Sequence, residues 1–146
     1  MTEAPLKFVL LVEDDPDDQE FFKDALSGIG NAVLYGIAGN GAKAIERLES
    51  APMLPDLIFM DVNMPLMNGI ECIARLKTDP RMQNIPVVML STAIWEMEMV
   101  RLLGAKAFIK KTGNSLVLRE QMQQIINPAF GAEIAHGAGT FEIKPH

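Results

Sequence analysis

Cysteine occurs once in the 146 residues, so no intramolecular disulfide can form and the chain fits a reducing compartment. Tryptophan and tyrosine also occur once each, and histidine twice. His136 and His146 are too isolated in the sequence to make a metal site and are read as unremarkable. Positive charge is in deficit, with 13 Lys and Arg against 19 Asp and Glu and a net charge of −6. That balance lacks the basic footprint that nucleic acid or an anionic membrane requires. Long apolar runs are missing too. Phe8–Val12 is far too short for a membrane span or for the core of a signal peptide. The expectation is a cytoplasmic protein that binds neither DNA nor a membrane.

What is present is a set of short, continuous apolar runs that end on polar groups. Leu57–Met60 lies between Pro55-Asp56 and Met64-Pro65 and runs into Asp61, as a strand buried on both faces of a parallel sheet does. Phe8–Val12 runs into Glu13-Asp14-Asp15-Pro16-Asp17-Asp18. Val87–Leu90, introduced by Pro86, ends on Ser91 and Thr92, and Ala107–Ile109 ends on Lys110 and Lys111. Val33–Ile37 is a fifth strand candidate. Between them, apolar residues recur at helical spacing: Phe22, Ala25, Leu26 and Ile29; Ala44, Ile45 and Leu48; Ile70, Ile73 and Ala74; Leu118, Met122, Ile125 and Ile126. A further helix is expected from about Trp95 to Leu103. Cys72 lies among Ile70, Ile73 and Leu76 and reads as a buried structural thiol.

Strand and helix thus alternate five times, which predicts an α/β fold with a parallel sheet covered by helices on both faces and right-handed crossovers. The length suits one domain, expected over 1–127. After Pro128 the chain turns to Gly, Ala and short polar residues, so 128–146 is expected to be a flexible tail, with Phe141 and Ile143 as the residues able to dock.

The acidic run divides in two. Pro16 suits the first turn of a helix, Asp15 its N-cap, and Asp17 and Asp18 the positive end of the helix dipole. Glu13 and Asp14 precede that helix and need another explanation. If the strands are parallel neighbours, Glu13, Asp14, Asp61, Ser91 and one of Lys110 and Lys111 converge at the C-terminal edge of the sheet, where open α/β folds bind ligands. Three crowded carboxylates require a cation or a shared proton. All-oxygen donors with few carboxylates favour Mg2+, and a lysine and a hydroxyl beside them suit a phosphoryl group.

Four landmarks in order, Val-Glu-Asp-Asp (12 to 15), Met-Asp-Val-Asn-Met-Pro-Leu-Met-Asn-Gly (60 to 69), Pro-Val-Val-Met-Leu-Ser (86 to 91) and Gly-Ala-Lys-Ala-Phe-Ile-Lys-Lys (104 to 111), closely resemble the receiver domain of bacterial two-component response regulators, over roughly residues 6 to 127. The resemblance implies a flavodoxin-like doubly wound sheet of order 2-1-3-4-5 with five helices. It makes Asp61 the phosphate acceptor from a histidine kinase or phosphotransfer protein. Mg2+ is then held by Glu13, Asp14, Asp61 and the backbone carbonyl of Asn63. Ser91 matches the hydroxyl that bonds the phosphoryl oxygens, Phe108 the switch aromatic, and Lys111 the phosphate-binding lysine, with Lys110 as the runner-up. Asn63 and Ala93 fall where receivers tune hydrolysis of the acyl phosphate. The lysine is usually followed by proline, often through a cis bond, and here Thr112 follows.

The expected protein is a single-domain signalling protein, not an enzyme, that works through a protein partner or onward phosphotransfer. Its rivals are a degenerate receiver that binds unphosphorylated and a phosphohydrolase with an aspartate nucleophile. The latter needs a general acid where Asn63 stands. A flavin-binding protein would want a Ser-, Thr- or Gly-rich phosphate loop where Glu13 and Asp14 stand. Homodimerisation is expected through the helix from Trp95 to Leu103 and the last helix. On the first of these, Met99, Leu102 and Leu103 form the core stripe, and Met97 and Val100 are the surplus apolar residues.

Overall fold

The structure is a computed structural model and describes residues 5–126 and 141–145. Its elements follow in strict alternation: β1 (Lys7–Val12), α1 (Pro16–Ser27), β2 (Ala32–Ala38), α2 (Gly41–Ser50), β3 (Leu57–Asp61), α3 (Gly69–Lys77), β4 (Val87–Ser91), a 3-10 turn (Ile94–Glu96) leading into α4 (Met97–Leu102), β5 (Ala107–Lys110) and α5 (Ser115–Ile126). The five strands are parallel, in the order β2-β1-β3-β4-β5. This is the flavodoxin-like arrangement expected from the alternation and the resemblance.

The continuous apolar runs have a direct physical cause. Successive side chains of a strand point to opposite faces, and both faces here carry helices. Leu10, Val12, Ile58, Met60, Val87, Met89 and Phe108 enter one core layer with Ala44, Ile45, Leu48, Cys72, Ile73 and Leu76 of α2 and α3. Val9, Leu11, Leu57, Phe59, Val88, Leu90, Ala107 and Ile109 enter the other, with Phe22, Ala25 and Leu26 of α1 and Met122, Ile125 and Ile126 of α5. β3 and β4 are buried along their whole length.

Local chemistry starts the helices. The Asp15 carboxylate accepts from the Asp17 and Asp18 amides, with Pro16 in the first turn, and Asn40 accepts from the Lys43 amide. Asn68 and Glu71 form a reciprocal capping box at α3, and Asn114 accepts from the Leu116 and Val117 amides at α5. Each cap satisfies amides that the first helical turn leaves without partners.

Two expectations are corrected. Val100 is fully buried and Met97 and Leu103 pack against the core, whereas Trp95 is 81% and Leu102 is 76% exposed, with Ile94 and Met99 about half exposed. The inward stripe of α4 is therefore Met97, Val100 and Leu103, and the surplus apolar face is Trp95, Met99 and Leu102. In a six-residue helix with four apolar side chains, only Glu98 and Arg101, an ion pair at i, i+3, mark the outer side, too narrow a polar stripe to fix the phase among so many apolar positions.

The second concerns the tail. Residues 128–140 lie outside the described residues, but 141–145 are seated on the outer edge of β5. The Phe108 amide donates to the Phe141 carbonyl at 3.0 Å and the Ile143 amide to the Phe108 carbonyl at 2.8 Å. Gln121 and Gln124 of α5 donate to the carbonyls of Ile143 and Lys144. Phe141 packs on one core layer, and Ile143, 2% exposed, enters the other. The segment covers an edge whose backbone groups would otherwise lie open.

The first turn of α3 presses on the end of β3. The Gly69 amide donates to the Val62 carbonyl at 2.8 Å, and a β-carbon on Gly69 would collide with the Asp61 carbonyl and come within 2.8 Å of Val62 Cα and Met89 Cε. Backbone cannot yield as a flexible side chain does. Gly69→Ala should therefore cost about 1 to 3 kcal/mol in urea unfolding, whereas Gly30→Ala, with nothing near the added carbon, should stay within about 0.5 kcal/mol.

Candidate functional site

The hydrogen-bond ladder of the sheet runs one residue beyond the strands and fixes the backbone of their last residues. Glu13 donates its amide to Ala38, Val62 to Leu90, and Lys111 to Ser91. This frames a shallow crevice at the C-terminal edge of β1, β3, β4 and β5. Asp61 closes β3 as a buried carboxylate, Glu13 is 2% exposed, and Asp14 faces solvent. Glu13, Asp14 and Asp61 each present an oxygen within 4.8 Å of the others.

Lys111 reaches into this cluster. Its ammonium lies 2.8 Å from Glu13 Oε1, 2.8 Å from Asp18 Oδ2 and 3.1 Å from Asp61 Oδ1. Lys110 is exposed and stands outside these ion pairs, so of the two lysines the fold brings Lys111 to Asp61. The Lys111–Thr112 bond is trans, and the chain turns at Gly113 with φ of 73°.

The balance of charge shows in the protonation equilibria. Burial pushes Glu13 up to about 7, against the opposing hydrogen bond from Lys111 and with added repulsion from Asp61. Burial also raises Asp61, while Lys111 opposes the rise. Burial alone would lower Lys111, but hydrogen bonds to Asp18 and Glu13 and the attraction of Asp61 outweigh it and hold the ammonium above its ordinary range. One ammonium does not neutralise this set of carboxylates, and an oxygen-only donor set short of positive charge fits a small divalent cation such as Mg2+.

Ser91 ends β4, fully buried. Its hydroxyl accepts from the Ala93 amide at 3.0 Å and donates to Glu96 Oε1 at 2.9 Å. The Asn63 side-chain amide donates to the same Glu96 oxygen at 3.1 Å. Phe108, also fully buried, lies in the layer with Val100 of α4 and pairs with Met89.

Sequence reasoning missed two residues here. Asp18 was accounted for as a helix-dipole residue, yet its carboxylate also binds Lys111, and its place in the first turn of the helix that follows Glu13 was the available signal. Glu96 carried no signal, because its burial depends on how the 3-10 turn folds over the crevice.

Residues 9–124 match the response regulator receiver domain family. The chain belongs to that family. The sensor histidine kinase TmoS of Ectopseudomonas mendocina matches at 34% identity over 121 residues, 82% of this chain and 12% of the kinase. The chain thus spans a small part of that relative. Chemotaxis protein CheY1 of Helicobacter pylori is 29% identical over 120 residues, 81% of this chain and 95% of CheY1. The phosphorylated cyanobacterial phytochrome response regulator RcpA superposes with a TM-score of 0.75 at 27% identity, over 85% of this chain and 96% of that one. Receivers serve phosphorelay signalling in two-component systems, where histidine kinases are their partners, and no helix among the described residues is long and apolar enough to cross a membrane.

In this receiver the raised Glu13 has a thermodynamic consequence. Between about 4.5 and about 7 the folded state holds a proton that the unfolded state has released, so stability falls as pH rises through that window and levels above it. Urea unfolding in a chelator should show the native protein losing up to about 3 kcal/mol more than Glu13→Gln between pH 5 and pH 7.5. Added Mg2+ should restore most of that difference at pH 7.5.

Proposed function

We propose that this receiver accepts a phosphoryl group on Asp61 from a phosphohistidine of a sensor kinase or phosphotransfer protein. The observation that carries the reading is the meeting of Asp61, Lys111, Glu13 and Asp14 at one sheet edge, with the Lys111 ammonium 3.1 Å from the acceptor carboxylate. A phosphorylated relative, RcpA, shares the fold.

Glu13, Asp14 and Asp61, with the backbone carbonyl of Asn63, are the groups that would hold Mg2+. Bound there, the metal supplies neutralisation of the charge on acceptor and phosphoryl oxygens. The chain does the rest by position. An Asp61 carboxylate oxygen attacks phosphorus in line, the P–N bond breaks with its electrons left on the imidazole, and an acyl phosphate forms. Lys111 exchanges part of its contact with Glu13 and Asp18 for the new dianion. Ser91 donates its hydroxyl to a phosphoryl oxygen, and Phe108 repacks in the layer it shares with α4, a shift between two populations of the surface around α4 and β5.

Intact mass after incubation with a small-molecule phosphodonor tests this reading. A single phosphoryl adduct should form on the native protein in Mg2+, be absent in chelator and be absent in Asp61→Asn. A folded native protein that takes no adduct from such a donor or from any kinase would sink it.

Output through protein contact is supported by the exposed Trp95 in the turn before α4, Met99 and Leu102 on α4, and Leu116 at the start of α5. A second receiver is the occupant proposed for this face. Sedimentation of the phosphorylated protein should show self-association that Met99→Glu with Leu102→Glu abolishes while the adduct still forms.

A further inference from the structure

Glu96 is a buried carboxylate that the chemistry above does not use. It is 4% exposed, lies at the end of the 3-10 turn between β4 and α4, and holds two groups on one oxygen: the Ser91 hydroxyl at 2.9 Å and the Asn63 side-chain amide at 3.1 Å. Both donors sit beside the acceptor. Ser91 ends the strand next to β3, and Asn63 follows Asp61 by two residues.

A serine hydroxyl has one proton to give. Here that proton faces the Glu96 carboxylate, since the other acceptor within reach, the Ala93 carbonyl, is at 3.4 Å. Among the described residues Ser91 makes no hydrogen bond to Asp61. A phosphoryl oxygen on Asp61 can therefore recruit Ser91 only by taking the proton away from Glu96.

We infer that Glu96 is a positioning residue that holds the Ser91 hydroxyl off the acceptor in the resting protein and is displaced when Asp61 is phosphorylated. The inference rests on the proposed phosphorylation of Asp61 and deepens it. Charge-assisted hydrogen bonds are roughly twice as strong as neutral ones, so a carboxylate at this position opposes the phosphorylated arrangement more than a neutral acceptor of the same shape would. Once Ser91 has turned away, the carboxylate keeps only Asn63 and stands near a dianion, a combination of lost partner and like charge that disfavours its buried place. The turn Ile94–Glu96 has no side-chain cap to hold it and runs directly into α4. Displacing Glu96 thus moves the start of α4, and Trp95, the only tryptophan in the chain, stands at the adjoining position, 81% exposed.

A carboxylate that merely braced the loop would give the opposite sign on substitution, because its removal would loosen the site and weaken the phosphorylated form. The test uses beryllofluoride with Mg2+ as the phosphoryl mimic, read by Trp95 fluorescence, alongside intact mass after a small-molecule phosphodonor. Beryllofluoride should change Trp95 emission in the native protein and not in Asp61→Asn. Glu96→Gln keeps the shape and an acceptor oxygen, and should bind the mimic about fivefold more tightly than the native protein. In a Ser91→Ala background the same substitution should change affinity by less than about twofold.

Equal or weaker binding by Glu96→Gln, with a urea midpoint showing that it is folded, would overturn the inference. So would a gain that persists undiminished without Ser91, or a native protein that takes the adduct with no change in Trp95 emission. A native protein that forms neither adduct nor beryllofluoride complex would remove the receiver reading itself, and this inference with it. A normal adduct together with a silent Glu96→Gln would remove the inference alone.

Discussion

The Lys111 ammonium, set among Glu13, Asp18 and Asp61 at distances of 2.8 to 3.1 Å, is the contact on which the rest of the structure depends. Carboxylates brought this close at a half-buried edge repel one another, and a single cation lets them stay. It does so incompletely, which is why burial still drives Glu13 up to about 7. The remaining shortage of positive charge is the property that suits the site to a divalent metal and then to a phosphoryl group that brings its own negative charge. A site with its charges fully paired would have no such use for either.

The sheet makes that crowding possible. β3 and β4 are buried throughout, so Asp61 and Ser91 are carried to the edge by strands that cannot slip in register without pushing apolar side chains out of one layer and into the other. The first turn of α3 clamps the backbone beneath Asp61 through Gly69. The outer edge of β5, where Phe108 lies, is closed by residues 141–145. Asp61 is thus held by the rigid middle of the fold. The groups around Ser91, Glu96 and the turn into α4 rest on side-chain hydrogen bonds, which exchange partners at far lower cost than a strand shifts register.

Much of this was legible before the structure. Runs such as Phe8–Val12 and Leu57–Met60 announce strands covered on both faces, because any polar residue in them would lie in a core. Asp15-Pro16, Asn40 and Asn68 announce helix starts, because their side chains satisfy amides within the next turn. Glu13, Asp14, Asp61 and Ser91 could be named because each ends or follows a strand and the chemistry of a crowded carboxylate site selects them, whereas the residues alone left Lys110 and Lys111 open and only the resemblance to receivers favoured Lys111. The phase of α4 was not read, since a short helix with apolar side chains at most positions has only Glu98 and Arg101 to mark its outer side. Phe141 and Ile143 could be named as residues able to dock, but where they dock was equally hidden: two apolar residues beyond a Gly- and Ala-rich stretch give no sign of which edge they meet.

The sequence by itself therefore determined the alternation of strands and helices, the strand-end carboxylates and the receiver family, all of which rest on residue type and short-range spacing. Tertiary structure decided which lysine meets Asp61, that Asp18 joins it, that Glu96 holds Ser91 and Asn63, and that the segment from Phe141 closes the β5 edge. Apart from Ser91 and Glu96, which meet because a turn folds back over the crevice, those pairings join residues 33 to 98 positions apart along the chain, from Asn63 with Glu96 to Glu13 with Lys111. Contacts of this kind are chosen by the packing of the whole sheet and its helices, and no local pattern encodes them.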